Sequence, residues 1–271
     1  MQHVEPQVFL IAKTAPDYQQ IQGWLDFIGA DKFEIPSAES TSVGSLLVTL
    51  AGKRCYLSYQ TGLNLNVTKV RQDLTAFIDN ILESAHGSTL EHVNYTFALE
   101  NVSRVFTAEF NRHRAGIAVS EGSFRYIRFD EHIDYWIPSS IQESAEDSPE
   151  IRQAKADSRE IFERAFAQMQ ENYRDLLQTW DYESLKQFKE KKKLTSLFRR
   201  IIGMGVATGG VWTGNLRALR HVFTMRCSAE AEEEICYVAS MMLERMIEAE
   251  PDVFRDFHKE NGYWRPKHWK V

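Results

Sequence analysis

Apolar residues recur at helical spacing over much of this chain, and that periodicity limits the folds open to it. Val70, Leu74, Phe77, Ile78, Ile81, Leu82 and Ala85 share one helical face and stop at His86-Gly87. Behind Pro149, a longer helix carries Ile151, Ile161, Phe162, Ala165, Phe166, Met169, Tyr173, Leu176 and Leu177. Ile21, Trp24, Leu25 and Ile28 form a third pattern between Pro16 and Gly29. Strand-like runs are short: Val8–Ala12, Val93–Leu99 and Ile133–Ile137. Leu46–Leu50 and Cys55–Tyr59 suit strand or short helix equally. Helices dominate, with a few strands in the first half, so the expected class is α+β.

The remaining segments read as connections and further helices. Residues 36–44 and the acidic, Ser-rich 139–148 look like loops. Ser103 is placed to cap a helix through Phe106 and Phe110 into Arg112. Lys186–Arg200 is basic, and a lysine run is most simply a solvated helix face. Gly203, Gly205, Gly209 and Gly210 interrupt the next stretch. Thr213 is expected to cap a helix from Asn215 to Met225, and Ser228 another from Ala229 to Glu248. Glu230, Glu232 and Glu233 would then suit the first-turn dipole of that second helix. No internal repeat and no long linker divides the chain.

Length and charge exclude several classes. The 271 residues suffice for one large domain or two small ones. No run approaches the roughly 20 apolar residues of a membrane span. No membrane partner is therefore expected, and Met-Gln-His-Val-Glu-Pro at the start lacks a basic region followed by an apolar core, so no signal peptide is expected. Cys55, Cys227 and Cys236 lack metal-type spacing and fit reduced thiols in the cytoplasm. Thirty-two Lys and Arg against 38 Asp and Glu give a net charge of −6. A general nucleic-acid binder is more often basic. Any anionic ligand must therefore be held by a local cluster of arginines.

Such a cluster exists at residues 112–126, Arg-His-Arg-Ala-Gly-Ile-Ala-Val-Ser-Glu-Gly-Ser-Phe-Arg-Tyr. Guanidinium groups offer a planar fork of donors suited to phosphate or a base carbonyl. The small residues from Ala115 to Ser123 look like a loop that lets a ligand approach the backbone. Further polar groups stand at His86, Ser88, Glu91 and His92, at Arg104, at Arg199 and Arg200, and at Asn215, Arg217, His221 and Arg226. Arg217 and His221 lie four apart and share a helix face. A metal site is not expected: His86, His92, His113 and His132 form no His-Glu-x-x-His pattern. No Walker loop occurs, and no G-x-G-x-x-G follows a strand. Ser123 lacks a nucleophile elbow and a partner base, so an anion hydrogen bond suits it better than nucleophilic catalysis.

These segments together resemble the flavin-dependent thymidylate synthases over roughly residues 46–250. Arg112-His113-Arg114 with downstream Ser123-x-Arg125-Tyr126 is similar to the family signature. His86-Gly-Ser88-x-Leu-Glu91-His92 resembles the family's His-x-Ser/Thr-x-x-Glu-His element. Ser103-Arg104, Tyr135-Trp-Ile-Pro138, Thr213-Gly-Asn215-Leu-Arg217-Ala-Leu-Arg220-His221 and Met225-Arg226-Cys-Ser228-x-x-Ala231 follow in the family's order. Two departures stand out. Eight residues, Ala115 to Gly122, separate Arg114 from Ser123 where the signature has seven, and Glu232 replaces a frequent Gln.

The resemblance implies a mixed sheet flanked by long helices, with residues 1–45 as an N-terminal extension packed on a single catalytic domain, 46–271. It implies methylation of dUMP at C5 to dTMP, with methylenetetrahydrofolate as one-carbon donor, FAD as cofactor and NADPH as reductant, in a homotetramer. Carried over by position, FAD would meet Ser58, His86, Ser88, Arg112, His113, Arg114, Asn215, Arg217 and His221. The nucleotide would meet Arg104, Glu121, Ser123, Arg125, Arg199 and Arg226, with Arg226, Ser123 and His86 closest to the chemistry. Two other readings are a relative that methylates or hydroxymethylates another pyrimidine nucleotide such as UMP, and, in a different class, a nucleic-acid-binding module built on Lys189–Lys193, Arg199 and Arg200.

Overall fold

The computed structural model describes residues 2–131 and 133–271, so Met1 and the candidate His132 lie outside the described residues. Two strands, β1 (Gln2–His3) and β2 (Gln7–Lys13), precede α1 (Tyr18–Phe27), α2 (Val43–Tyr56) and α3 (Leu74–Glu83). β3 (Asn94–Ser103) runs directly into α4 (Arg104–Phe110). β4 (Ile117–Glu121), β5 (Asp134–Tyr135) and the 31-residue α5 (Pro149–Thr179) follow. The last third holds α6 (Phe188–Phe198), β6 (Ala207–Asn215), α7 (Leu216–Arg226), α8 (Glu233–Ala249) and α9 (Pro251–Phe254). A hairpin of β7 (Phe257–Glu260) and β8 (Tyr263–Pro266) closes the chain. The class is α+β.

The central sheet has the order β2-β3-β6-β4 and is antiparallel throughout. A parallel β1–β5 pair joins it through a Tyr135–Val206 bridge. Alternation along β3 sends Tyr95, Phe97 and Leu99 into the main core. There they meet Trp212 of β6, Leu216, Leu219, Val222 and Phe223 of α7, and Ile235, Val238, Met242 and Leu243 of α8. A second core forms where Phe166, Met169 and Tyr173 of α5 pack on Phe198, Phe129 and Tyr135. A third, around Leu25, Phe33, Leu46 and Tyr59, seats α1 on α2. No helix among the described residues is long and apolar enough to cross a membrane.

Five local expectations change. Residues 46–50 and 55–59, open between strand and helix, lie mostly in one helix, α2, capped by Ser42 and ended by Leu57 in the left-handed region. Burial of Leu46, Val48, Thr49, Leu50 and Lys53 wraps around that helix and erases a one-faced period. The small-residue stretch 115–123 is not all loop, because Ile117–Glu121 pairs with β6 as an edge strand. The glycines read as interruptions include Gly209 and Gly210, which lie inside β6. A Cβ on Gly210 would stand 2.5 Å from the Ser120 carbonyl, so its absence lets β4 dock. Thr213 is a strand residue, and the cap of α7 is Asn215, whose Oδ1 accepts from the Ala218 N–H at 2.8 Å. Likewise Glu232, not Ser228, caps α8, with Oε2 accepting from the Glu234 and Ile235 N–H groups. Glu230 therefore lies outside the first turn.

Two buried carboxylates tie the helices to the sheet. Glu234 of α8 accepts from the Ser103 N–H at 2.6 Å and from the Ser103 hydroxyl, fixing the residue that caps α4. Burial pushes its pKa up to about 7, against those hydrogen bonds, which lower it. Glu250 accepts from the Gly44 N–H at 2.7 Å and from the hydroxyls of Ser42 and Tyr95. Gly210→Ala is expected to destabilise the protein by about 1–3 kcal/mol by pushing β4 off the sheet. A denaturation midpoint equal to wild type would show that the edge tolerates the methyl group.

Candidate active site

β6 and α7 form one continuous unit, and most of the candidate residues gather along it. At its start, Gly209 O accepts from the Gly122 N–H at 2.9 Å, which anchors the end of β4. Beside that anchor, Arg104 pairs with Glu121 and donates to the Gly122 carbonyl at 2.9 Å. Its guanidinium lies over the Phe124 ring at 3.8 Å. Asn111 completes the group: its Nδ2 donates to Glu121 at 2.9 Å, while its Oδ1 accepts from the Trp212 indole N–H at 3.0 Å. Burial, then the neighbouring charge of Arg199, lowers the Arg104 pKa, so Arg199 reaches this group from the end of α6. Arg104, Glu121, Ser123 and Arg199 thus share one neighbourhood. Asn111, Phe124 and Trp212 are additions that the sequence did not single out.

At the C-terminal end of α7, Arg226 donates from Nε to His113 Nε2 at 2.9 Å and from Nη1 to Glu109 at 3.0 Å. Burial first, then the charges of Arg226 and His221, push the His113 pKa down to about 4. Neutral His113 accepts at Nε2, which places its proton on Nδ1. The His221 ring stands 6.0 Å from that of His113. Arg217 and His221, one turn apart, line a common recess of about 420 Å³, as their spacing requires.

At the N-terminal end of α7 that recess adjoins a larger cleft of about 700 Å³ through Ala85 and Arg217. Ser58 after α2, His86 and Ser88 after α3, and Arg217 of α7 all line it. Three segments far apart in sequence therefore converge on one cavity. None of its lining residues is Asp or Glu, although the chain as a whole is acidic. Lys69 and Arg71 add cationic lining that the sequence reading passed over. Arg217 forms an ion pair with Glu91 at 2.5 Å, but both side chains are nearly half exposed. Such a pair is worth little and yields readily to a phosphate. Gly87 makes room for the Arg217 guanidinium, since a Cβ there would stand 2.7 Å from Nε.

The structure does not bring every candidate to this cleft. Arg112, Arg114 and Arg125 are exposed and do not line it. Asn215 is committed to capping α7, with its backbone N–H on the Gly116 carbonyl at 3.1 Å. The basic run on α6 is partly engaged: Lys191 lies over Tyr182 and Lys192 over Tyr126. Among the described residues, no three His, Cys, Asp or Glu side chains gather as a metal ion would need.

A cation-lined cleft and a separate Arg-Glu-Asn cluster thus make up the candidate site. Residues 39–252 match the family model described as thymidylate synthase complementing protein. The chain belongs to this family. The flavin-dependent thymidylate synthase of Nitratidesulfovibrio vulgaris is 35% identical over 184 residues, 68% of each chain. That of Mycobacterium avium is 29% identical over 251 residues, covering 91% of this chain and 92% of its own. Among solved structures, a UMP/dUMP methylase from Streptomyces cacaoi bound with 5-Br UMP superposes with a TM-score of 0.62 at 19% identity. The match covers 94% of this chain and 95% of the other, which supports a shared fold. Membership makes this chain a flavin-dependent enzyme of the methyltransferase class.

The cleft fits a flavin dinucleotide on its own terms. Its volume lies within the usual range of ligand pockets, and its lining is cationic and free of carboxylates. Arg226→Ala is expected to cut turnover at least ~100-fold with little change in melting temperature. Its two hydrogen-bonding partners sit near the surface, so wholesale unfolding of the variant would argue for a structural role instead. His113, neutral in the native state, titrates near 6.5 once unfolded. Stability should therefore fall as pH drops from about 6.5 toward 4 and be flat with respect to this group above 6.5. Urea unfolding of His113→Gln, which cannot titrate, should lack that component; an unchanged profile would assign it elsewhere.

Proposed function

We propose that this chain converts dUMP to dTMP, with FAD as cofactor and with methylenetetrahydrofolate and NADPH as co-substrates. The observation that carries the reading is the carboxylate-free cleft in which Ser58, His86, Ser88 and Arg217 meet inside a protein of net charge −6. When bound, the flavin supplies hydride chemistry that no side chain can. The protein's own work is binding, orientation and electrostatic field.

Ser58, His86, Ser88, Arg217 and His221 hold the cofactor, with Asn215 fixing the helix start beneath them. At the other end of α7, Arg226 faces the pyrimidine. Methylation at C5 requires negative charge to build on the ring carbonyls, and a fixed guanidinium stabilises that charge without reorganising. Glu109 and neutral His113 position it. Arg104, Glu121, Ser123 and Arg199 take the rest of the nucleotide, where the Arg104–Glu121 pair orients donors toward sugar and phosphate.

The exposed Arg112, Arg114 and Arg125 acquire a role if the active unit is a homotetramer, in which they serve the cleft of a neighbouring copy. The outer face of the central sheet supports this arrangement. Phe9, Ala98, Val211 and Ser120 align across the four strands, and Phe9 and Val211 remain 51% and 37% exposed. A cytoplasmic location is consistent with three unpaired thiols, one of them exposed.

The test is a turnover assay on purified protein. A flavin absorbance spectrum, dTMP formation from dUMP dependent on methylenetetrahydrofolate and NADPH, and a tetramer in light scattering are expected. Activity on UMP alone would move the substrate to the ribonucleotide. Colourless protein with salt-sensitive affinity for polynucleotide would replace the enzyme by a nucleic-acid-binding module.

A further inference from the structure

The 66–71 segment, Asn-Val-Thr-Lys-Val-Arg, belongs to no helix or strand, because α3 begins only at Leu74 and leaves Val70, expected on its face, outside it. Its position is nonetheless fixed. Lys53 of α2, only 1% exposed, donates from Nζ to the Arg71 carbonyl at 2.7 Å and to the Ser58 carbonyl at 3.4 Å. The same ammonium lies 5.1 Å from the Phe77 ring centroid and 5.6 Å from that of Phe33. None of these partners is a carboxylate. A buried ammonium satisfied by two carbonyls and two aromatic faces is costly to hold, so it persists where it fixes backbone. Here it clamps together two walls of the cleft, the turn bearing Ser58 and the segment bearing Lys69 and Arg71.

That clamp also concentrates positive charge. Burial, then the charge of Arg71, pushes the Lys53 pKa down to about 8. Lys69 and Arg71 are exposed on the cleft wall, and no acidic residue lines the cleft or the smaller cavity of about 400 Å³ that shares Ser58, Lys69, Arg71 and Phe77 with it. Cations gathered without counter-charges make an anion site.

The cleft has a direction. Arg217 joins it to the recess holding His221, His221 adjoins His113, and His113 accepts from Arg226. The redox ring of a flavin must approach the pyrimidine, so it belongs toward His221. The other end of the dinucleotide is left at the 66–71 wall.

We propose that Lys69 and Arg71 bind the adenylate half of FAD, gripping the phosphate nearer adenosine, with Lys53 as the positioning residue that holds their backbone. The inference rests on the flavin reading given above. It separates FAD from FMN, because FMN has no adenylate half for this wall to hold.

The experiment titrates flavin-free protein with FAD and with FMN, followed by flavin fluorescence. In Lys69→Ala/Arg71→Ala, two surface changes that leave the core untouched, FAD affinity should fall at least ~10-fold while FMN affinity stays within twofold. Lys53→Met should show the same selective loss, and Lys53→Arg should recover part of it. A purely structural lysine would weaken both flavins together. FAD affinity unchanged in the double variant, or equal losses for FAD and FMN, would overturn the inference while leaving the flavin reading intact. Wild-type protein that takes up neither flavin would overturn the reading itself and the inference with it.

Discussion

The junction at Asn215, where β6 becomes α7, is the constraint on which the rest of the structure depends. Its side chain caps the helix, and its backbone N–H is bound to Gly116 of the segment leading into β4. β6 is paired on both sides, by β3 and by β4, so the start of α7 inherits the rigidity of the sheet. From that origin α7 carries Arg217, His221 and Arg226 outward at fixed spacing, while Leu216, Leu219, Val222 and Phe223 lock its other face into the main core. Nine residues of helix rise separate Arg217 from Arg226, roughly 13 Å. One rigid element thus sets the distance between the cleft end and the Arg226 end of the site. The two buried carboxylates act on the same frame, since Glu234 holds the cap of α4, from which Arg104 projects.

Charge is the second organising factor. The chain is acidic overall, yet the cleft at the start of α7 has no acidic lining residue. Arginines are sorted by partner. Arg220 makes a two-pronged pair with Asp256 at 2.8 and 2.9 Å and is almost fully buried between Phe254 and Phe257. It fastens α7 to the C-terminal hairpin, and the one donor it leaves unpaired, Nε, is buried. Arg217, three residues earlier, holds the exposed Glu91 and, from Nε, the Val271 carbonyl at 3.3 Å, and it faces the cleft. Arg226 lies between these cases, held by a neutral imidazole and one carboxylate, oriented but still accessible.

Much of this was legible in the sequence, because helices with one apolar face and residues in family motifs announce themselves locally. The α3 and α5 patterns, the Ser103 cap and the shared face of Arg217 and His221 are all set by short-range spacing. What stayed hidden depends on distant partners. β4 looked like loop because small residues form a strand only where β6 offers glycines to receive them. α2 looked ambiguous because it is buried on more than one face. Arg220 and Arg217 are indistinguishable by type, and only the tertiary fold gives one to Asp256 and the other to the cleft. Lys53 sat unnoticed beside Arg54, because only the fold buries the one and leaves the other exposed.

The central claim is that a phosphorylated flavin is held by cations converging on a carboxylate-free cleft at the start of α7. Arg217→Glu places a single carboxylate in that cleft without touching the core, so FAD binding to this variant is the most direct measurement. The account predicts affinity at least ~100-fold below wild type, with FAD binding in the wild type itself weakening as salt rises. Wild-type affinity in the variant, insensitive to ionic strength, would contradict it.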